Sequence, residues 1–265
     1  KIQSAIKEIK NKNYGYRVKL HSYLKDEFDD FAEQTNLMAE HIENEKLNEL
    51  IEVTEKLLPQ RREIIFSDYS VSGYIQQSRE IGGDFYDLIE ITENKYICVI
   101  ADVVGKSFPA AYLMTLAINS IRLLCKQYDN NTSFLSALND YIKNYTPSGK
   151  WFTMIFSVID LLDNKIEIIN CGHPSAFFYK TNNTIEISSQ LPMIGQFSSE
   201  KFNKYLAEYS QNQCIHNFEK NNILIIYTDG LSDLVQNNNC NIKTLFHEFC
   251  DNNDFKKNAD NFLNF

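Results

Sequence analysis

No C-x-x-C pair occurs in this chain of 265 residues; Cys98, Cys125, Cys171, Cys214, Cys240 and Cys250 are scattered along it. Several lie inside apolar runs, where cysteine behaves as a small hydrophobe. The pattern argues against a disulfide framework and fits reduced thiols in a cytosol. The five histidines make no H-x-x-x-H or His/Cys ligand set, which argues against a zinc site. No run of about 18 apolar residues is present and no signal peptide is visible. A Lys/Arg-rich stripe is also missing. The net charge is -9, from 26 basic and 35 acidic residues, so nucleic acid is not an expected partner. No internal repeat is found.

What remains is a chain 43% hydrophobic and 13% aromatic, enough for a real core in one large domain or one domain with an extension. Residues 1–63 are charged and read as helix. Ile2, Ile6 and Ile9 form one amphipathic stripe. A second helix opens at Asp26-Glu27, where acids favour the first turn. Leu47, Ile51, Thr54 and Leu58 are spaced 4, 3 and 4, which suits a short coiled-coil seam; the plainer reading is a helix packed on its own domain. Pro59 ends the helix. Strands are then predicted over 64–66, 69–75, 96–101, 153–160, 165–170, 177–179, 185–187 and 223–227. Helices are predicted over 110–128, 134–145, 244–250 and 255–265. Hairpin-ordered strands around two consecutive helices predict an α+β fold with antiparallel sheets and a helical layer.

Four aspartates stand beside apolar runs. Ile81-Gly82-Gly83-Asp84-Phe85-Tyr86-Asp87 carries two, Tyr96–Ala101 leads into Asp102, and Ile223–Tyr227 leads through Thr228 into Asp229. An apolar run that ends in Asp next to Gly places a hard oxygen ligand at the rim of a buried sheet. Several such rims facing one another make a site for divalent cations that prefer carboxylate and water, and two metals there activate a water for attack on phosphorus. Gly82-Gly83 permits a tight turn beside Asp84, with Asp84 and Asp87 on one side of a turning segment. The carbonyl of Val103 is a further hard oxygen. Three weaker candidates for substrate binding are Arg79, a guanidinium suited to phosphate, Lys106 and His173. The plainer readings are a solvated cation for the first two, and for His173 a turn whose imidazole pairs with backbone.

Taken together, Gly82-Gly83-Asp84-Phe85-Tyr86-Asp87, Asp102-Val103-x-Gly105-Lys106 with Pro109-Ala110-Ala111, Asn170-Cys171-Gly172-His173-Pro174 and Tyr227-Thr228-Asp229-Gly230 resemble the SpoIIE/RsbU type of bacterial PPM (PP2C-like) serine phosphatases. Order and spacing match across roughly residues 57–262. The resemblance implies an αββα sandwich holding two Mn2+ or Mg2+ ions, with Asp84, Asp87, Asp102, the Val103 carbonyl and Asp229 as ligands. Asp84 and Asp102 would act catalytically through a metal-bound water on a phosphoserine or phosphothreonine. The implied substrate is a phosphorylated anti-anti-sigma (STAS) protein. Val104 and Ser107 stand where the family usually has a small residue and a glycine. The family's closing Asp-Asp pair has no match, so a further strand is expected beyond Phe265.

Lys1–Asn44 resembles most of a HAMP domain, in Ile9-Lys10, Tyr14–Val18, Asp26-Glu27-Phe28 and Thr35-Asn36-x-Met38-Ala39. The expected organisation is therefore a HAMP-like segment over 1–45, a signalling coiled-coil helix over 46–63 and a phosphatase domain over 64–265. This implies a homodimer and the cytoplasmic portion of a bacterial inner-membrane protein, with a transmembrane segment before Lys1. The alternative is a catalytically inactive PPM-like domain acting as a regulatory binding module. Gly82-Gly83-Asp84-Phe85 also resembles the diguanylate cyclase signature, but Phe85 stands where that signature has a second acid, and Asp102 and Asp229 would be unexplained. A histidine kinase lacks a histidine in a helix-dimer motif.

Overall fold

A computed structural model of the chain describes residues 7–8, 11, 13, 33–38, 40–41, 45, 56–58, 61–65, 69–75, 82–105, 108–147, 149–180, 183–219, 221–237 and 241–251. Two compact units divide at Leu57/Leu58. In the first, residues 33–38 are helical within the predicted second helix. The rest of the HAMP-like segment and most of the signalling helix lie outside the described residues. So do Arg79, Lys106, Ser107 and the helix expected over 255–265.

The second unit runs β1 (Arg61–Ile65), β2 (Ser70–Tyr74), β3 (Phe85–Thr92), β4 (Lys95–Val103), α1 (Phe108–Cys125), α2 (Asn131–Tyr145), β5 (Phe152–Asp160), β6 (Lys165–Cys171), β7 (Ala176–Lys180), β8 (Asn183–Ile187), α3 (Ser199–Tyr209), β9 (Ile215–Asn217), β10 (Ile223–Ile225), α4 (Asp229–Asn237) and α5 (Ile242–Asp251). A five-stranded sheet has the order β3-β4-β5-β6-β9, a three-stranded sheet the order β10-β7-β8, and β1 pairs with β2. All pairings between these strands are antiparallel. The Asp163-Asn164 turn closes the β5–β6 hairpin with Asn164 at positive φ, a conformation asparagine tolerates well.

Side-chain alternation assigns the layers. Val99, Ala101 and Val103 of β4, with Met154 and Phe156 of β5, pack on one face against Leu113, Met114 and Ile118 of α1 and Leu135 and Leu138 of α2. The opposite face carries Ile100, Ile155 and Ile168 and meets Ala176, Phe178, Ile187 and Leu224 of the smaller sheet. The outer face of that sheet presents Phe177 and Tyr179 to Phe246, Leu231 and Ile242 of α4 and α5. The result is helix, sheet, sheet, helix, an αββα sandwich as expected.

Four elements, β3, α3, β9 and α4, were not read from the sequence. α3 buries only Phe202, Leu206 and Tyr209, a narrow stripe in a charged segment. β3 carries a buried aspartate in the middle of its apolar face.

The central layer depends on Phe156, which is fully buried and stacks on Phe134 of α2 with ring centroids 4.7 Å apart. Phe156→Ala is expected to cost about 3–5 kcal/mol, read as a lower denaturation midpoint in urea at unchanged slope.

Candidate functional site

Three carboxylates meet at one end of the cleft between the two sheets. Asp84, Asp102 and Asp229 each offer an oxygen, and these ligand atoms all lie within 4.8 Å of one another. Their convergence follows from the strands. Asp84 immediately precedes β3 rather than ending a strand, and Asp102 is the next-to-last residue of β4. β3 and β4 are antiparallel, with Phe85 opposite Ala101, so the start of one lies beside the end of the other. Asp102 shares the parity of Ile100 and therefore faces the second sheet. Asp229 arrives from that sheet, in the first turn of α4, where an acid is favourable to the helix dipole.

Parity also explains Asp87. Asp84 and Asp87 are three residues apart, so along an extended strand they point to opposite faces. Asp87 shares the helix-facing side with Phe85 and Ile89. It is buried, and its Oδ2 accepts from Arg122 Nε of α1 at 2.6 Å while Oδ1 accepts from the Leu88 amide at 2.9 Å. The structure therefore does not bring Asp87 to the other three. Arg122 sits in the last turn of α1, where a cation is favourable. Burial, with the Asp87 charge nearby, pushes the Cys98 and Cys125 thiols up to about 12. The five described cysteines are free thiols.

Gly83 makes the close approach possible. A Cβ there would stand 2.6 Å from Val103 Cγ2, 2.7 Å from the Val103 carbonyl oxygen and 3.0 Å from Asp102 Oδ1. The Gly83 carbonyl accepts from the Val103 amide at 3.3 Å. Only a residue without a side chain lets the backbone before Asp84 lie against the Val103 carbonyl and the Asp102 carboxylate.

The electrostatics are those of a site short of positive charge. Burial raises the pKa of Asp84, the Asp229 charge adds to this, and a bond from Thr228 Oγ1 to Asp84 Oδ2, 2.7 Å long, opposes it. Burial, the Asp84 charge, the hydrogen bond to Asp84 and the Asp229 charge push Asp102 up to about 7. With no cation to offset the crowded negative charge, both carboxyls sit above the usual carboxylate range. The donor set is hard oxygen throughout, with three carboxylates and the adjacent Val103 carbonyl, and contains no thiolate or imidazole ligand. That set fits Mg2+ or Mn2+.

His173 occupies the turn after β6, preceded by Gly172 at φ 72°. Its ring nitrogens face Thr153 and the Tyr227 carbonyl, so the histidine pairs within the fold. Thr228 and Thr153 carry parts of the site that the sequence reading did not assign, whereas Gly83 stands where the glycine pair beside Asp84 was read. The only signal for Thr228 was its place beside Asp229. Lys150 is another such residue: its Nζ lies 4.0 Å from where a Cβ on Gly105, in the loop after β4, would stand.

Comparison with known proteins adds a lineage. The family model of Stage II sporulation protein E (SpoIIE) matches residues 92–262. Asp102, His173 and Asp229 fall inside the match, and Asp84 lies upstream of it. Phosphoserine phosphatase RsbP of Bacillus subtilis (strain 168) is 25% identical over 178 residues, covering 64% of this chain and 41% of that protein. Phosphoserine phosphatase RsbU of the same organism is 22% identical over 158 residues, covering 59% of this chain and 44% of that protein. The chain thus spans less than half the length of these curated relatives. The solved structure of the PP2C phosphatase domain with a regulatory fragment of SpoIIE from Bacillus subtilis is 20% identical, with a TM-score of 0.46 over 56% of this chain and 40% of that one. RsbX in complex with magnesium is 17% identical, with a TM-score of 0.49 over 64% of this chain and 79% of that one.

The raised pKa of Asp102 gives a signed prediction. An acid whose folded value lies above its unfolded value near 3.8 favours the folded state at low pH, and that contribution is lost as pH rises toward about 7. A bound cation removes the penalty of ionisation. The rise in Tm caused by saturating Mg2+ is therefore expected to be larger at about pH 8 than at about pH 5, measured by paired thermal melts with and without the ion.

Proposed function

The chain belongs to the SpoIIE family of PPM (PP2C-like) phosphatases, and we propose that it hydrolyses phosphoserine or phosphothreonine in a protein substrate with the help of two Mn2+ or Mg2+ ions. The observation that carries this reading is the convergence of Asp84, Asp102 and Asp229 from two facing sheets onto one point. When bound, divalent cations supply positive charge against the phosphate dianion and make a water acidic enough to attack phosphorus near neutral pH. Asp84, Asp102, Asp229 and the Val103 carbonyl would hold them. Thr228 orients Asp84, and Gly83 keeps the Val103 carbonyl uncrowded. Attack forms one P–O bond and breaks another, releasing the serine or threonine hydroxyl and inorganic phosphate. Lys150, beside the loop after β4, is a candidate to meet the phosphoprotein, together with Arg79 and Lys106.

The finer assignments belong to the same proposal. The substrate is a phosphorylated STAS-domain anti-anti-sigma protein, a reading supported by the kinship with RsbP and RsbU. The HAMP-like segment over 1–45 and the helix over 46–63 form a homodimeric relay below a membrane anchor. No described helix is long and apolar enough to cross a membrane.

Two outcomes test the reading. Hydrolysis of p-nitrophenyl phosphate and of a phosphoserine STAS protein is expected to require Mn2+ and to fall at least about a hundredfold in Asp102→Asn. A folded, cation-binding protein without turnover would instead favour the inactive binding module. Replacing Leu47 and Ile51 of the seam with polar residues, and leaving Leu58 because it is buried in the core of the second unit, is expected to change the rate in the same assay; an unchanged rate would remove the gating role.

A further inference from the structure

Asp102 belongs to the five-stranded sheet, whereas Asp229 follows the edge strand of the three-stranded sheet. The spacing of these two carboxylates is therefore set between layers. One side chain spans the gap with a hydrogen bond at each ring nitrogen. His173 Nδ1 lies 2.7 Å from Thr153 Oγ1 on β5, and Nε2 lies 3.0 Å from the carbonyl oxygen of Tyr227. Thr153 is the register partner of Asp102. Tyr227 precedes Thr228, which holds Asp84, and stands two residues before Asp229.

The proton positions follow from the partners. A carbonyl only accepts, so Nε2 carries the hydrogen. Nδ1 of the neutral ring is then an acceptor and takes the single hydroxyl proton of Thr153 at 2.7 Å in preference to the Asp102 carbonyl oxygen at 3.4 Å. Burial holds the imidazole near a pKa of about 4, against the opposing bond to the Tyr227 carbonyl, so the ring is uncharged around neutral pH. The backbone on which it sits is equally fixed. Asn170, fully buried, accepts from the His173 amide at 2.8 Å and donates to the His173 carbonyl at 3.0 Å. With both ring nitrogens engaged, no polar ring atom is left for a phosphate.

We propose that His173 is a positioning residue, a strut between the two sheets that sets the spacing of Asp102 and Asp229 and through it the affinity of the site for a divalent cation. The inference rests on the cation-binding reading above. Asp84 and Asp102 are neighbours through the β3–β4 ladder, but Asp229 is placed by contacts across the cleft. The Thr228–Asp84 bond is one of these, and the Thr153–His173–Tyr227 chain is another. Loss of the second leaves the start of α4 tied to the large sheet at Asp84 without its tie on the Asp102 side. Partners that orient ligands from behind typically hold about ten- to a hundredfold of metal affinity.

The test is Mg2+ titration by isothermal calorimetry on the whole chain, with wild type, Thr153→Val, Thr153→Ser and Asp102→Asn. Thr153→Val keeps shape and β-branching but removes the hydroxyl. It is expected to weaken Mg2+ about tenfold at nearly unchanged Tm, with Thr153→Ser restoring the wild-type value. Nitrogen-15 NMR of the imidazole is expected to show a neutral ring with hydrogen on Nε2 across about pH 6–8. Wild-type affinity in Thr153→Val, or a ring protonated on Nδ1, would overturn the strut while leaving the cation site intact. Absence of Mg2+ binding in the wild type would overturn the cation reading, and the strut with it. Asp102→Asn, which alters a ligand itself, marks the affinity floor.

Discussion

Three negative groups held within one ion's reach of each other are the constraint on which this structure turns. Left to themselves the carboxylates would separate, because each gains by returning to water and by increasing its distance from the others. The opposing force is the apolar cleft behind them. Ile100, Ile155 and Ile168 close on Ala176, Phe178 and Leu224, so the two sheets cannot part at the mouth without exposing that interior. The repulsion is thus opposed by hydrophobic burial elsewhere in the cleft, and the site keeps a standing demand for positive charge.

The same layering explains what the sequence made legible. β4, the β5–β6 hairpin, α1 and α2 are long and strongly patterned, and periodicity alone locates them. Asp102 and Asp229 were visible because acids break apolar runs abruptly. Asp87 misled because proximity in sequence was read as proximity in space. An odd spacing on a strand sends it to the other face, and Arg122, which neutralises it there, is 35 residues away with no local signal. That buried ion pair also hid β3, since an aspartate in mid-strand reads as a break. α3 was hidden by its composition, with three buried side chains among lysines and glutamates.

His173 shows a different limit. Its Gly-His-Pro setting marked a turn, and a turn is what the structure contains. Which atoms the ring would meet depended on Thr153 and Tyr227, which belong to different sheets. Such partners are chosen by tertiary geometry, so residue type identifies the histidine as special without saying what it touches. The family match, which begins at residue 92, likewise leaves Asp84 to be placed by geometry, through its bond to Thr228 and the gap left by Gly83.

The order of strands has one more consequence. Among the described residues β3 is an edge strand of the large sheet, with β4 as its single ladder partner, whereas β4 is flanked on both sides. Amide hydrogens along β3 can therefore reach solvent by breaking one row of bonds, while those of β4 need two. Asp84 and Asp102, neighbours in space, are in this sense mounted on supports of unequal stiffness. Local opening that frees the first carboxylate need not disturb the second, and native-state exchange would register the two ligands as belonging to different cooperative units.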